Sequence, residues 1–412
     1  MADTLAIHGG TPVRTAPFPS WPIFGDEEER RLLAALKSGK WGKIDGSEVK
    51  QFEKRFAEYH GAKHGVAVVN GTTGLRLALL ATGIEAGDEV IVPPFTFLAT
   101  ASTVIEVNAT PVFADLQLDT FNIDPAAIEA AITPRTRVIV PVHLGGLPCD
   151  MDAILDVARR HSLMVLEDCA HAHGAAYKGR RVGSFGNMAM FSFQGSKNLN
   201  SGEGGIVLTS DDELAARLWS LHNCGRRPGR AWYEHFVLGG NNRLSEFQGA
   251  ILHAQWERFE EQAQRREENG LYLDERLSSI PGIHPQARTA DCTRHAYHLF
   301  PFRIDPAELG ASREAFLEAL NGEGIPAAAA YPVPLYRQPV FEQLLFGPYT
   351  GYRNARPDLD YKQTSCPNCE TISFTQGVWL EHRLLLGTRQ DMDDVADAIR
   401  KVYDNRDRLA AS

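Results

Sequence analysis

From about residue 62 onward, short apolar runs rich in β-branched residues alternate with stretches whose apolar positions recur at helical spacing. The runs are HGVAVVN, DEVIVPP, TPVFADL, RVIVPV, LMVLED, MAMFSF and GIVLTS. Strand-like runs separated by helical segments predict a mostly parallel sheet covered by helices, so this part reads as a large α/β domain with a seven-stranded sheet. The helical segments include 73–81, 125–132 and 151–160, and Asp124 followed by Pro125 supplies an N-cap and a first-turn proline. Residues 245–279 read as one long helical stretch, opened by a Ser-x-x-Gln capping box at Ser245 and Gln248, with Gly270 as a candidate break. Beyond it, 297–304 reads as a strand, 313–320 and 392–402 as helices, and the Pro/Gly/Asn-rich stretch 347–368 as loop. The expected division is a large domain with an N-terminal arm over 1–255, then a linking helix and a smaller C-terminal α+β domain over 256–412. Neither an internal repeat nor a low-complexity segment is visible.

Composition narrows the function classes. The chain has 412 residues, 43% hydrophobic and 23% charged, enough for two or three domains with a substantial core. Forty-two Lys+Arg against 52 Asp+Glu leave a formal charge of -10, and no basic stripe is present to follow a phosphate backbone, which argues against a nucleic-acid partner. The N-terminal MADTLAIHGG carries Asp3 and no continuous apolar core, unlike a secretory signal. The longest apolar runs, such as 65–69 and 138–142, fall far short of the roughly 20 residues that span a bilayer, so a cytoplasmic protein is expected. Six scattered cysteines then read as free thiols. Cys366 and Cys369 form a CxxC without a second ligand pair, and no metal site is expected.

Three features carry chemistry. Glu167-Asp168 closes the run LMVL, and ligands of open parallel sheets sit beyond the carboxyl ends of the strands. About thirty residues later, in FSFQGSKNLNSGEGG, Lys197 follows a strand and precedes a glycine-rich turn. A lysine so placed can form a Schiff base, and an upstream carboxylate can keep a pyridine nitrogen protonated. Taken alone, a lysine is ordinarily solvated and a strand-terminal acid ordinarily caps a helix. The third feature is NGTTG at 70–74, between a strand and a helix, where backbone N–H groups and the hydroxyls of Thr72 and Thr73 could receive a phosphate. An ordinary capped turn is the alternative there. Phosphate cradle, acid and lysine in this order suggest pyridoxal 5'-phosphate (PLP), and no GxGxxG follows the first strand to favour a dinucleotide.

The set NGTTGL, VPPFTFLAT, EDCAHAHGA, FSFQGSK, SGEGG and GGNNRLSEFQGA resembles the sugar aminotransferases of the DegT/DnrJ/EryC1/StrS family, of fold type I, over about 21–387. Within that family, WPIFGDEEE, FSFQ, HNCGR and the stretch from CPNCETIS to VWLEHRLLLG look closest to scyllo-inosose-type cyclitol aminotransferases and 3-amino-5-hydroxybenzoate synthases. The resemblance implies that Lys197 bonds the cofactor covalently and later moves a proton between substrate carbon and cofactor. It implies that Asp168 pairs with the pyridine nitrogen, and that His171, where many members have glutamine, lies on the ring face or near its phenolic oxygen. Phe97 is expected to stack on the other face. Thr72, Thr73 and Ser192 are expected to hold the phosphate, and Asn241 to reach it from a neighbouring subunit, which implies a homodimer with shared sites. A local helix cap is the other reading of Asn241.

A polyhydroxylated acceptor needs several polar groups in the cleft, and Trp41, Lys43, His298, Tyr331 and Tyr336 are the expected walls. Tyr336 stands where the family often has histidine, which weakens an expectation of nucleotide-sugar binding. His173 reads as a core histidine first and a catalytic group second. Arg226, Arg227 and Arg230 read as a solvated loop, with substrate recognition as the alternative. The expected activity is PLP-dependent transfer of an amino group from L-glutamate or L-glutamine to the ketone of a cyclitol or sugar. Elimination and aromatisation of an aminated ring would use the same lysine, and a cofactor-binding regulator without catalysis is the alternative of another class.

Overall fold

Continuous β-branched runs need both faces covered, and each of the seven becomes a strand of one sheet. The computed structural model describes residues 4–349 and 356–409. The strands are β1 (His64–Val68), β2 (Glu89–Val92), β3 (Thr110–Phe113), β4 (Thr136–Ile139), β5 (Met164–Asp168), β6 (Met188–Ser192) and β7 (Gly205–Thr209). They lie in the order β1-β7-β6-β5-β4-β2-β3. β7 runs antiparallel to both neighbours, and the pairings from β6 across to β3 are parallel. The helices of this part are α1 (Asp26–Ser38), α2 (Glu48–His60), α3 (Gly71–Ala81), α4 (Ala99–Glu106), α5 (Pro125–Ala130), α6 (Met151–Arg160) and α7 (Asp212–His222). Asp124 caps α5 by accepting from the N–H of Ala126, with Pro125 in the first turn, as the sequence predicts.

Helix α8 (Glu246–Leu277) opens with the expected capping box, in which Ser245 accepts from the N–H of Gln248 and the Gln248 side chain accepts from the N–H of Ser245. It carries Phe259 and Ala263 in the apolar cluster under the large sheet, and Leu273 and Leu277 in the cluster of a second sheet. The expected division at 255/256 falls inside this continuous helix. Gly270 does not break it. A Cβ built at Gly270 would lie 2.5 Å from the ring of Tyr297, so the missing side chain serves close approach rather than a turn.

The second sheet contains β8 (Ile283–Pro285), β9 (Leu299–Ile304), β10 (Ala327–Ala329) and β11 (Gly377–Glu381), antiparallel in the order β8-β9-β11-β10. Helices α9 (Arg313–Gly322) and α10 (Arg389–Asp404) cover it, burying Phe316, Leu320, Val395 and Ile399. The N-terminal arm belongs to this layer: Leu5 and Phe18 join its cluster, and Arg14 pairs with Asp391 at 2.6 Å and Asp394 at 2.7 Å. Buried Glu323 accepts from the N–H groups of Ala6 and Val13, which ties the arm down before it reaches Trp21. In the stretch expected as loop, 350–355 lie outside the described residues, and a 3-10 turn forms at Tyr361–Gln363.

Candidate active site

Side chains alternate across a strand, so adjacent acids at the end of β5 face opposite ways. Glu167 points into the protein, fully buried, and accepts from the N–H groups of Gly183, Phe185 and Gly186 at 2.8–2.9 Å and from His143 Nε2 at 3.2 Å. Nδ1 of His143 accepts from the N–H of Cys149, so Nε2 holds the hydrogen. Burial pushes the Glu167 carboxyl up, and the His143 bond and backbone donors outweigh it, leaving the group below its ordinary range. Glu167 thus pins the strand end. His143, Glu167 and Cys169 come together, yet both ring nitrogens of His143 and the Glu167 carboxylate are engaged in this internal network.

Asp168 faces a cavity of about 1130 Å³. Its Oδ2 accepts from Thr100 Oγ1 at 2.9 Å and its Oδ1 from the N–H of Ala170 at 3.1 Å. Burial still raises its carboxyl above the ordinary aspartate value. Lys197 stands on the loop after β6, and burial lowers its ammonium to about 8, against the pull of Asp168. Its Nζ lies 3.5 Å from Nε2 of His298. The His298 ring centroid is 4.3 Å from that of His171, and burial holds both imidazoles neutral, far below the usual histidine range.

The cavity also meets the start of α3. Asn70 caps this helix by accepting from the N–H of Thr73 at 2.8 Å, while Gly71 and Thr72 line the wall beside Ser192 of β6. A Cβ at Gly71 would sit 3.0 Å from the Ser192 Cβ, so this glycine lets the helix N-terminus and the Ser192 hydroxyl share one end of the cavity. A helix N-terminus with adjacent hydroxyls suits a phosphate.

Of the residues expected here, Thr72, Phe97, Asp168, His171, Ser192, Lys197, His298 and Tyr331 all line this cavity. Phe97 is 61% exposed at its mouth, and Tyr331 packs edge-on against Trp379 and Phe95. Others lie elsewhere. The N–H of Thr73 is spent on the Asn70 cap, and the residue is outside the cavity wall. Lys43 is buried, donating to Glu53 and 2.9 Å from Nε2 of His222. Trp41 is exposed, donating from its ring to Leu36 O beside Phe247. Tyr336 is fully buried, donating to Glu370 at 2.7 Å and accepting from the N–H of Cys366. All three are wall assignments the chain itself does not support, because each polar group is consumed by its own neighbourhood.

Asn241 is exposed and apart from this chain's cavity, in a bridge with Asn223. It does not cap α8, since Ser245 does. His173 lies among Phe56, Phe191 and Phe193, the core setting expected for it. Arg226 and Arg227 lie over Trp232 and Phe236, outside the cavity.

Sequence reasoning missed Trp21, Thr100 and His382, which complete the cavity. The Trp21 ring N–H donates to Gly195 O at 3.0 Å, and its ring meets His382 edge-on at 4.6 Å. His382 in turn lies 2.9 Å from Ser196 O, so both rings brace the loop that carries Lys197. Fully buried Arg266 of α8 sits over Trp21 at 5.1 Å. The advance signal was that all three fall inside motifs of the family resemblance, Trp21 in WPIFGDEEE, Thr100 in VPPFTFLAT and His382 in VWLEHRLLLG, although no role was read for them.

The profile of the DegT/DnrJ/EryC1/StrS aminotransferase family matches residues 22–400. A protein of Streptoalloteichus tenebrarius, named as a candidate L-glutamine:3-amino-2,3-dideoxy-scyllo-inosose aminotransferase, is 41% identical over 99% of this chain and 100% of its own length. The L-glutamine:2-deoxy-scyllo-inosose aminotransferase of Streptomyces paromomycinus is 40% identical over 98% of each chain. The crystal structure of a 3-amino-5-hydroxybenzoic acid synthase superposes with a TM-score of 0.84 at 36% identity, covering 95% of this chain and 100% of that one. The fold is that of the PLP-dependent aminotransferases of fold type I. The chain belongs to the DegT/DnrJ/EryC1/StrS aminotransferase family and is an aminotransferase, which sets aside the reading as a regulator without catalysis.

Proposed function

We propose that the enzyme holds PLP in the cavity between α3 and Lys197, and moves an amino group from L-glutamine or L-glutamate to the ketone of a cyclitol. The observation that carries this is the donor set lining one cavity: hydroxyls and a helix N-terminus, buried Asp168, and Lys197. That set fits a phosphate, a pyridine nitrogen and an aldehyde. When bound, the cofactor supplies an electron sink for the carbanion formed next to the amino nitrogen. Thr72, Ser192 and the first turn of α3 bind the phosphate. Asp168, kept in place by Thr100, holds a proton at the pyridine nitrogen. His171 covers one ring face and Phe97 borders the other. Lys197, with its amine titrating near 8, is a competent nucleophile and proton carrier near neutral pH.

The choice of a cyclitol is supported by the two scyllo-inosose relatives, similar over nearly their whole lengths. A ring-aromatising activity is the second reading, favoured by the superposition on the 3-amino-5-hydroxybenzoic acid synthase. The protein is proposed to work in the cytoplasm; among the described residues no helix is long and apolar enough to cross a membrane. It is further proposed to work as a homodimer, which the exposed Trp41, Phe97 and Leu98 support. The deciding experiment incubates purified protein and PLP with L-glutamine or L-glutamate and then with 2-deoxy-scyllo-inosose, following the product by mass spectrometry. An aminated cyclitol is expected. Loss of water to an aromatic product from an aminated ring substrate, without amine transfer to the cyclitol, would favour the second reading.

A further inference from the structure

Asn198, the residue after Lys197, is buried and its amide has one workable orientation. Nδ2 donates to Ala296 O at 2.8 Å, and Oδ1 lies 3.2 Å from Nδ1 of His298. Turning the amide over would set its oxygen against the Ala296 carbonyl oxygen, with no hydrogen between them. An amide oxygen only accepts, so the hydrogen of the His298 ring is on Nδ1. In a neutral imidazole the other nitrogen is then a bare acceptor. Burial first, and then the charge of Lys197, keeps this imidazole neutral. The bare Nε2 faces Nζ of Lys197 at 3.5 Å, and an ammonium can only donate.

We infer that His298, locked in one tautomer by Asn198, is a positioning residue for Lys197: its Nε2 accepts one N–H of the lysine and leaves the rest of the amine turned toward the cavity. The role of that amine rests on the proposed function; the tautomer lock and the hydrogen bond do not. Whenever the Lys197 amine is free, His298 holds Nζ at one place, so the amine does not fold back into solvent between the two halves of a transfer. A wall residue for substrate, as the sequence suggested, would need Nε2 free toward the cavity.

The other titratable groups around the pair are Asp168 at the end of β5, His171 and His173 on the turn after it, His382 after β11, and Arg266 of α8. Each stays in place in the variants below. Accepting a hydrogen bond from the ammonium favours its charged form. Removing the acceptor therefore lowers the midpoint at which Lys197 titrates.

The test is made on the full-length protein free of cofactor, by competitive acetylation of amines across pH 6–11, with Lys197 read by peptide mass spectrometry. His298→Phe is expected to shift the Lys197 midpoint down by about one pH unit, tenfold in its protonation equilibrium. His298→Gln, which can donate to Asn198 and accept from Lys197, is expected to restore it. Asn198→Leu, which frees the tautomer, is expected to shift it in the same direction by less. An unmoved midpoint in His298→Phe with a wild-type circular dichroism spectrum overturns the inference. Should that variant fail to fold, 15N–1H correlation spectra of the unaltered protein decide: hydrogen on Nδ1 of His298 supports the lock, and hydrogen on Nε2 overturns it. No lysine-linked cofactor in the unaltered protein, together with a shifted midpoint in His298→Phe, would count against the proposed function alone.

Discussion

Thr100 Oγ1 donates to Oδ2 of Asp168 at 2.9 Å, and Thr96 Oγ1 lies 3.0 Å behind it, so the buried carboxylate rests on a short chain of hydroxyls from the start of α4. This chain keeps Asp168 aimed at the cavity although burial raises its carboxyl. Asp168→Asn retains the shape and the bond from Thr100 but not the charge. It is expected to fold normally and to lose about 10²-fold or more in amine transfer, the scale for removing a preorganised electrostatic partner. Thr100→Val is expected to lose about tenfold, since a hydrogen bond to a charged group is worth roughly 1.5–3 kcal/mol. Steady-state rates beside thermal unfolding curves check both, and near-normal turnover in Asp168→Asn would assign the role to another group.

Lys197 gives the pH dependence. Only the unprotonated amine attacks a carbonyl, and burial lowers its ammonium from the ordinary lysine value of 10.5 to about 8. The rate at which cofactor-free protein bonds PLP is therefore expected to rise through pH 8 and level off above it, rather than climb toward 10.5. Stopped-flow absorbance across pH 6.5–9.5 reads this directly. Lys197→Ala is expected to bind PLP reversibly, with no lysine-linked product after borohydride reduction and no turnover. Substantial turnover in that variant would remove Lys197 from its role.

Much of this site was legible because its parts sit at strand and helix ends. Asp168 and Lys197 follow apolar strand runs and Thr72 opens a helix, so local pattern and chain order located them together, while Ser192 at a strand end came from the family resemblance. Trp21 and His382 sit in motifs of that resemblance, WPIFGDEEE and VWLEHRLLLG, yet their joint role was not readable, for the opposite reason. They arrive from positions 21 and 382 and meet only in the fold, with no spacing to announce them. Lys43, Trp41 and Tyr336 were chosen on residue type, and residue type says nothing about whether a nearby glutamate or carbonyl has already claimed the polar atom. The seven strands were predictable, whereas the N-terminal arm's place on the second sheet depends on ion pairs such as Arg14 with Asp391, over more than 370 residues of chain.

Gly270 tests the close packing of α8 on the loop that leads to His298. Alanine at an exposed helix position would gain up to about 1 kcal/mol in helix propensity. Here the added Cβ meets the Tyr297 ring at 2.5 Å, and that ring is itself stacked between His295 and Phe300. Overpacking of this kind costs about 1–3 kcal/mol, so Gly270→Ala is expected to lower the denaturation midpoint rather than raise it. A raised midpoint at unchanged slope in urea would show that Tyr297 can move aside.

Asn241 tests the shared site. It is exposed, lies outside its own cavity and leaves the cap of α8 to Ser245, so within one chain it has no role at the cofactor. If it reaches the phosphate of a second copy, chains carrying Lys197→Ala and chains carrying Asn241→Asp should complement each other. In a mixed dimer one site receives both defects and the other receives none. Refolding the two variants together is then expected to recover up to about a quarter of wild-type activity, since random pairing makes half the dimers mixed and each has one intact site of two. Both parents should stay nearly inactive when refolded alone. Subunit exchange shown by mass spectrometry, without any recovery, would reject the shared site and leave Asn241 as a surface residue.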